Sequence, residues 1–328
     1  MKYIIWNLII PLLFVATNVV ADNSDRLIRL ANRYFEPLPN VMPGAENDTP
    51  QRIALGKKLY FEKRLSINDT QSCASCHRLE NDFAGVDKQS TSPGAKGELG
   101  SRNSPTVLNA GFQDSQFWDG RAKDLVEQAK GPILNPVEMA MPDEKSVEQK
   151  LRAIAEYNNA FTLAFPGNDP AITYQNIAEA IAAFERTLIT PSRFDDFMKG
   201  DATALSETEQ RGLKAFIMID CKSCHDGKLL GGETYEMLGK KTPYENQSDE
   251  GIYALTGDED DRMVFKVAPL RNVALTAPYF HDGKIKTLDE AIRKMGKLQL
   301  NEELSNQQVN DIEMFLRALT DKNMEKSK

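Results

Sequence analysis

Apolar residues recur every three or four positions along most of the chain, which is the spacing of one face of an α-helix. The clearest sets are Ile53/Leu55/Leu59, Val147/Leu151/Ile154 and Ile177/Ile181/Phe184/Leu188. Runs that alternate apolar and polar residues, as strands with one buried face do, are scarce. The pattern therefore predicts a mostly α fold.

Polar residues stand where these helices are expected to begin. Thr49 precedes Pro50, and proline is favourable at the first position of a helix. Three further segments have the capping-box pattern, in which Glu or Gln follows Ser or Thr three positions later. They are Ser206–Glu209, Thr287–Glu290 and Ser305–Gln308. The helices that follow them are expected to run toward Asp220, Met295 and Leu319.

A weak internal repeat indicates two domains of the same kind. The segments Ala54–Phe61 and Arg211–Ile217 resemble each other, and each precedes a Cys-Xaa-Xaa-Cys-His sequence. A long helical pattern ends at Pro191, because the residue before a proline is disfavoured in a helix. We therefore predict an N-terminal domain over residues 22–190 and a C-terminal domain over residues 191–328.

Residues 1–21 have the features of a cleaved secretory signal peptide: Lys2, an apolar run and a small-residue end. A retained membrane anchor is the alternative, but Asn7, Pro11 and Asn18 interrupt the run, and a membrane span needs about 20 apolar residues. Cleavage would remove Lys2 and change the net charge from −8 to −9. Export predicts a bacterial periplasm as the destination, and the acidic charge argues against nucleic acid as a partner.

All four cysteines belong to two motifs of the same spacing, Cys73-Ala-Ser-Cys76-His77 and Cys221-Lys-Ser-Cys224-His225. Two thiols three positions apart can add to the two vinyl groups of one haem, while the next histidine binds the iron. A Cys₄ zinc site or two disulfide redox centres could also use the cysteines. Neither explains the adjacent histidines, so the motifs predict two covalently bound haem c groups.

The ligand on the opposite face of each iron is not decided by the motifs. His281 is the only histidine outside them, so at most one iron can have two histidine ligands. The other strong candidate is a methionine sulfur, which raises the reduction potential of the iron. The chain has 11 methionines, and a methionine on a helix is more often a core residue than a ligand.

Several segments, in order along the chain, resemble the bacterial di-haem cytochrome c peroxidases and their MauG-type relatives. Besides the two haem motifs, they are Arg102–Thr106, Gln116–Arg121, Glu127–Pro132, Pro136–Met139 and Ala277–Gly283. The similarity extends from about Thr49 to Leu319. It implies two cytochrome c-like domains with the haems near their interface, and it implies a homodimer.

For the C-terminal haem, the resemblance implies that Met295 binds the iron opposite His225. Met295 lies fourteen positions after His281, as the ligand does in the family. This haem is then the high-potential group that receives electrons. His281 is expected to have a structural role or to contact a haem propionate.

For the N-terminal haem, the resemblance implies that His77 holds the iron that reacts with peroxide. In many members a histidine sixteen positions further along covers that iron until the other haem is reduced, but this chain has Pro93 at that position. We therefore expect an iron that is five-coordinate or water-bound at rest. Met139, Met141 or another side chain as a covering ligand is the alternative.

The resemblance also assigns residues to the reaction. Glu138 matches the distal glutamate of the family, and a desolvated carboxylate could move a proton between the peroxide oxygens; a surface acid is the alternative. Gln128 matches the distal glutamine that would orient peroxide, and Pro132 would shape the same pocket. Trp118 matches the tryptophan between the haems, as an electron relay, a packed core residue or both.

The resemblance further implies one Ca²⁺ ion between the two domains. The family binds it through an asparagine side chain and two backbone carbonyl groups. Asn103, Thr276 and Pro278 occupy these positions here. Oxygen ligands of this kind suit a hard cation.

The expected function is the reduction of hydrogen peroxide to water, with electrons from a small c-type cytochrome or a cupredoxin. A MauG-type enzyme that oxidises tryptophan or other side chains of a partner protein is one alternative. Pro93 favours it, whereas Met295 differs from the tyrosine of the best-known member. A non-enzymatic di-haem electron carrier is the other alternative, and it would need six ligands on both irons.

Overall fold

The computed structural model describes residues 23–80 and 83–325, and this part of the chain is mostly helical, as the hydrophobic pattern predicts. The helices are α1 (23–31), α2 (Pro50–Tyr60), α3 (Cys73–Cys76), α4 (Leu125–Leu134), α5 (Glu144–Arg152), α6 (Ala155–Ala164), α7 (Tyr174–Glu185), α8 (Arg193–Met198), α9 (Glu207–Met218), α10 (Tyr253–Thr256), α11 (Leu288–Met295), α12 (Asn306–Arg317) and α13 (Lys322–Glu325). The strands β1 (Tyr235–Met237) and β2 (Val264–Lys266) pair antiparallel. The predicted signal peptide lies outside the described residues.

The capping signals identify the helix starts, with one error of detail. The hydroxyl of Thr49 accepts a hydrogen bond from the backbone N–H of Arg52 (3.2 Å), as a cap of α2 does. Ser206 and Ser305 form both hydrogen bonds of their predicted capping boxes. Thr287 precedes α11 as expected, but its side chain makes no capping hydrogen bond. The capping-box prediction at Thr287 is therefore wrong.

A close helix crossing organises the N-terminal half. Helix α2 packs on α7 at Gly56, where a Cβ atom would lie 1.7 Å from the carbonyl oxygen of Ala180. Only glycine permits this approach, because any side chain would overlap the backbone of α7. One turn further along α2, the Tyr60 hydroxyl donates a hydrogen bond to the carbonyl oxygen of His77 (2.5 Å). The crossing thus fixes a helix that contacts the first haem motif.

The C-terminal half repeats this arrangement. Helix α9 packs on α12 at Gly212, where a Cβ atom would lie 1.8 Å from the carbonyl oxygen of Asp311. One turn further along α9, the ring of Phe216 lies 6.3 Å from that of His225, measured between ring centroids. The weak sequence repeat therefore corresponds to the same helix crossing in front of each haem motif.

Helix α1 packs on the C-terminal core, although the predicted N-terminal domain includes it. Ile28 and Phe35 lie in the same apolar cluster as Phe194, and the rings of Phe35 and Phe194 meet edge to face. The backbone N–H of Leu38 donates to a carboxylate oxygen of Asp195 at 2.7 Å. The predicted boundary near residue 190 stays a prediction.

Two turns of the same shape precede α4 and α11. Phe117 and Gly120 have φ angles of 69°, and Phe280 and Gly283 have φ angles of 68° and 61°. An antiparallel bridge closes each turn. Corresponding residues of these turns, and of the helices after them, are 163 positions apart, as Phe117 is from Phe280. This second repeat covers residues that line the functional site.

The helix crossings generate a stability prediction. Gly56→Ala and Gly212→Ala should each destabilise the folded protein by about 1–3 kcal/mol, the usual cost of overpacking. The cost should exceed the gain in helix propensity of about 1 kcal/mol, because the neighbouring atom is a backbone oxygen that cannot rotate away. Denaturant unfolding of the haem-containing protein measures the change. Lys57→Ala, at an exposed position of α2, is the control, and glycine variants as stable as that control would contradict the crossing.

Candidate active site

The first haem motif forms a short helix that points its functional groups into a cavity. Cys73 and Cys76 begin and end α3, and the hydroxyl of Ser75 accepts a hydrogen bond from the backbone N–H of Ser72 (3.0 Å). His77 follows, and its backbone N–H donates to the carbonyl oxygen of Cys73 (2.9 Å). The Nδ1 atom of His77 is buried and has no hydrogen-bond partner among the described residues.

The second haem motif begins in a single 3₁₀ turn, Cys221–Ser223. The backbone N–H of His225 donates to the carbonyl oxygen of Cys221 (3.0 Å). The Nδ1 atom of His225 lies 3.0 Å from the carbonyl oxygen of Leu230. A hydrogen bond at Nδ1 leaves Nε2 available as an iron ligand, because the two ring nitrogens share these roles.

The cysteines differ from those of a disulfide redox centre. None of the four forms a disulfide, and burial raises the pKa of Cys76 to about 11 and that of Cys221 to about 12. Reactive redox thiols have a lowered pKa, so this environment argues against disulfide redox centres. No group of three or more His, Cys, Asp and Glu side chains in residues 23–80 and 83–325 could hold a metal ion. That result argues against the Cys₄ zinc site.

Each motif lines its own cavity, and the two cavities share a wall. The His77 cavity, lined by Cys73, Cys76 and His77, has a volume of about 820 Å³. The His225 cavity, lined by Cys221, Cys224 and His225, has a volume of about 240 Å³. The residues that line both cavities are Asn103, Ser104, Pro105, Thr106, Gln113, Trp118, Lys266, Ala268 and Pro269. Two thiols and an imidazole on the wall of each cavity fit a covalently bound haem.

The three predicted distal residues all line the His77 cavity. Gln128 and Pro132 lie four positions apart on α4 and therefore on one face of that helix. Glu138 follows in the next turn, where the side-chain amide of Asn135 donates a hydrogen bond to its carboxylate (2.8 Å). Burial raises the pKa of Glu138, and the positive charge of Arg121 opposes this rise. An acid in this environment can hold a proton at higher pH than a surface acid can.

Pro93 also lines the His77 cavity, in a loop that packs tightly on the Glu138 segment. A Cβ atom on Gly94 would lie 1.8 Å from the carbonyl oxygen of Val137. The backbone N–H of Ala95 donates to the carbonyl oxygen of Glu138 (2.6 Å). The loop that carries the covering histidine in many relatives therefore has direct backbone contact with the Glu138 segment here.

The predicted alternative iron caps have different positions. Met139 is buried and lines the His77 cavity. Met141 is buried in the N-terminal apolar cluster and is not among the residues that line that cavity. Its predicted role as an alternative cap has no support from this position.

Met295 and His281 both line the His225 cavity. Met295 is the last residue of α11. The ring of His281 stacks on that of Phe265, with centroids 4.3 Å apart. The Nε2 atom of His281 is buried without a hydrogen-bond partner in the described part of the chain, which fits a residue that contacts a bound group.

The turn repeat shows why the two cavities differ chemically. Pro132 corresponds to Met295 at the separation of 163 residues, and each lines the cavity of its own half. Proline has no atom that binds iron, whereas a methionine sulfur does. The position of the predicted ligand in the His225 cavity therefore holds a residue without a ligating atom in the His77 cavity.

Trp118 lies in the shared wall, where it lines both cavities. Its indole N–H donates to the backbone carbonyl oxygen of Asn103 (2.9 Å). Its ring meets that of His281 edge to face, with centroids 6.5 Å apart. The same turn repeat makes Trp118 the counterpart of His281.

The three residues predicted to bind calcium all line the His225 cavity, and Asn103 belongs to the shared wall. The side-chain amide of Asn103 donates to the backbone carbonyl oxygen of Gln89 (2.9 Å). Its Oδ1 atom therefore faces away from that contact. Thr276 and Pro278 are two residues apart in the loop that precedes α11.

Comparisons with known proteins identify the family. The family model for di-haem cytochrome c peroxidases matches residues 50–203. Cytochrome c551 peroxidase of Pseudomonas aeruginosa is 45% identical over 91% of this chain and 88% of its own length. The chain belongs to the di-haem cytochrome c peroxidase family. Membership and the two Cys-Xaa-Xaa-Cys-His motifs imply two c-type haems.

Two further matches show the range of this family. The methylamine utilization protein MauG of Paracoccus denitrificans is 35% identical over 81% of this chain and 80% of its own length. The crystal structure of a MauG-like protein associated with microbial copper homeostasis has a TM-score of 0.77 and 29% identity, over 88% of this chain and 95% of that one. The family and the mostly helical fold predicted from the sequence are confirmed. No described helix has the length and apolar character needed to cross a membrane.

Sequence reasoning missed two charged residues in the cavities of this family member, Lys266 and Glu185. Glu185 is 4% exposed and lines the His77 cavity. Burial raises the pKa of both Tyr60 and Cys73, and the Glu185 carboxylate adds to each rise, so it lies close to them. A signal was present, because Glu185 lies four positions after Ile181 on the apolar face of α7.

The burial of Glu185 predicts a specific dependence of stability on pH. Burial raises its pKa from about 4.5 to about 8 in the folded protein, so unfolding releases a proton between these values. Its contribution to stability is therefore fully present below about pH 4.5 and is lost as pH rises toward 8. Glu185→Gln should be more stable than the native protein in this range, by up to about 1.4 kcal/mol per unit of pKa difference.

Thermal unfolding of the haem-containing proteins from pH 5 to pH 8 measures this difference. Glu179→Gln is the matched control, because Glu179 lies on the same helix with a partly exposed side chain. A stability difference that does not grow with pH would show that Glu185 stays charged in the folded protein.

Proposed function

We propose that the protein is a periplasmic cytochrome c peroxidase that reduces hydrogen peroxide: H₂O₂ + 2 e⁻ + 2 H⁺ → 2 H₂O. The observation that carries this proposal is the His77 cavity. It combines the histidine of a haem-attachment motif, a partly buried acid at Glu138, and Pro132 where the other half has Met295. The relative named a cytochrome c551 peroxidase is also more similar to this chain than the MauG protein, with 45% against 35% identity.

The predicted distal residues of the His77 cavity transfer protons and orient the substrate. A haem held by His77 would supply an iron that binds peroxide and accepts electrons. Glu138 would take a proton from the nearer peroxide oxygen and deliver it to the departing one, which a partly buried carboxyl with a raised pKa can do. Gln128 orients the substrate through its side-chain amide. Asn135 holds the Glu138 carboxylate in position.

The C-terminal half receives electrons from the donor protein. His225 and Met295 lie on the wall of one cavity, and a thioether ligand stabilises the reduced iron. Trp118 lies in the wall between the cavities and acts as the relay between the two haems. A small c-type cytochrome or a cupredoxin is the donor, and the enzyme works as a homodimer.

A calcium ion completes the shared wall in this proposal. The Asn103 side chain and the backbone carbonyl groups of Thr276 and Pro278 bind it. All three residues line the His225 cavity, and oxygen ligands are those that calcium prefers. The ion would join segments from the two halves of the chain.

A MauG-type oxidation of a partner protein is the second candidate function. Pro93 favours it, because this chain has no histidine at the position that covers the iron in many peroxidases. Steady-state peroxide turnover with reduced small cytochromes and cupredoxins separates the two candidates. Fast turnover supports the peroxidase, and negligible turnover with every donor would rule it out.

The resting coordination of the His77 iron is directly testable. Because Pro93 and Pro132 lack ligating atoms, the oxidised protein should show a high-spin ferric haem and bind cyanide before any reduction. Absorption and electron paramagnetic resonance spectra of the fully oxidised enzyme measure this. A resting protein with two low-spin haems, and no cyanide binding until one electron is added, would show that another side chain covers the iron.

Replacement of Glu138 tests the proton transfer. Glu138→Gln should slow peroxide reduction by about 10² or more, because the amide cannot exchange a proton in this way. Cyanide binding should remain, because the iron and the cavity are unchanged. Glu127→Gln is the matched control, since Glu127 lies nearby on α4 but does not line the cavity. Equal turnover by the two variants would remove Glu138 from the mechanism.

A further inference from the structure

The wall between the two cavities contains a buried cation, Lys266. It ends strand β2 and is 7% exposed. Its backbone N–H donates to the carbonyl oxygen of Trp118 (2.8 Å). Its Nζ atom donates to the carbonyl oxygen of Ser115 (2.6 Å). An ammonium group has three donors, so this one bond leaves two for other acceptors.

No carboxylate of the described residues pairs directly with Lys266. Asp119 and Asp114 favour its charged form through space. The carboxylate of Asp119 is bonded instead to Arg102 (2.6 Å) and Arg121 (2.8 Å). Burial lowers the pKa of Lys266 to about 7. A buried cation is usually paired with an anion, so the residues described do not supply the expected partner.

The corresponding residue of the N-terminal half is uncharged. Asn103 lies 163 positions before Lys266, and its backbone N–H donates to the carbonyl oxygen of His281 (2.7 Å), as that of Lys266 donates to the carbonyl oxygen of Trp118. The cation next to Asn103 is Arg102, which has protein partners. Arg102 donates two hydrogen bonds to Asp249, at 2.5 and 2.8 Å. Its charge is therefore neutralised within the protein. Arg102 and Lys266 both line the His77 cavity, but carboxylates of the described residues bind only Arg102.

A haem propionate can supply the anion that Lys266 lacks. Each haem has two carboxylates on its propionate chains, and Lys266 lines both cavities. We propose that Lys266 binds a propionate carboxylate of a bound haem and that its positive charge raises the reduction potential of that haem. A nearby cation stabilises the added electron, and it does so more strongly in a buried site than in water. This inference rests on the proposed function for the presence of both haems.

Reduction potentials test the role of the charge. Spectropotentiometric titration of the complete di-haem enzyme should give a lower midpoint potential for at least one haem in Lys266→Met than in the native protein. Lys266→Arg should restore most of the difference, since it keeps the charge. Lys57→Met is the control, because Lys57 is an exposed lysine on α2 that lines neither cavity. Unchanged potentials in Lys266→Met, with both haems attached, would overturn the proposal.

A crystal structure of the native di-haem enzyme tests the contact without a variant. The Nζ atom of Lys266 should lie within about 4 Å of a propionate oxygen, the usual limit for an ion pair. A longer distance to all four propionates would overturn the proposal even if Lys266→Met does not fold. Neither measurement uses peroxide turnover. An inactive native enzyme with the expected contact and potential shift would refute the peroxidase function alone.

Discussion

The close backbone contact at two glycines is the constraint on which the rest of this structure depends. Gly56 brings α2 onto α7, and Gly212 brings α9 onto α12, in each case with no room for a side chain. One turn later each helix contacts a haem motif, through Tyr60 in one half and Phe216 in the other. The crossings help to place both cavities, since α7 supplies Ile181 and Glu185 to the wall of the His77 cavity, and α9 and α12 supply residues to the wall of the His225 cavity.

The two halves share one arrangement of helices and turns, and a few side chains at equivalent positions differ between them. These differences give the two cavities different chemistry. Pro132 stands where the other half has Met295, and Trp118 stands where it has His281. Each replacement changes what the side chain can do: a ligand atom is lost in the first pair, and a redox-active indole faces both cavities in the second. The attachment motif is kept in both halves, while only the His225 cavity has a methionine at this position of the repeat.

The ionisable residues of the cavities differ in how burial and their partners affect them. Glu138 and Glu185 are both carboxyl groups whose pKa is raised by desolvation in the His77 cavity. The carboxylate of Glu138 accepts a hydrogen bond from the side-chain amide of Asn135. For Glu185, desolvation raises the pKa and the positive charge of Arg186 opposes the rise. Arg102 and Lys266 also differ in their partners. Arg102 pairs with the carboxylates of Asp119 and Asp249, whereas Lys266 pairs with no carboxylate of the described residues. Lys266 has a carbonyl acceptor but no carboxylate partner among the described residues, which is why we propose a haem propionate as its anion.

The sequence alone determined the helical class, most helix starts, the haem-attachment residues and the family. These depend on periodicity, on capping residues and on motifs of fixed spacing, which are local properties of the chain. The tertiary structure decided that α1 packs on the C-terminal core and that Pro132 and Met295 occupy equivalent positions. It also decided that Lys266 and Glu185 lie in cavity walls. A charged residue in a sequence is expected in solvent, and only the packing of distant segments around it determines whether water is excluded and which partner it needs.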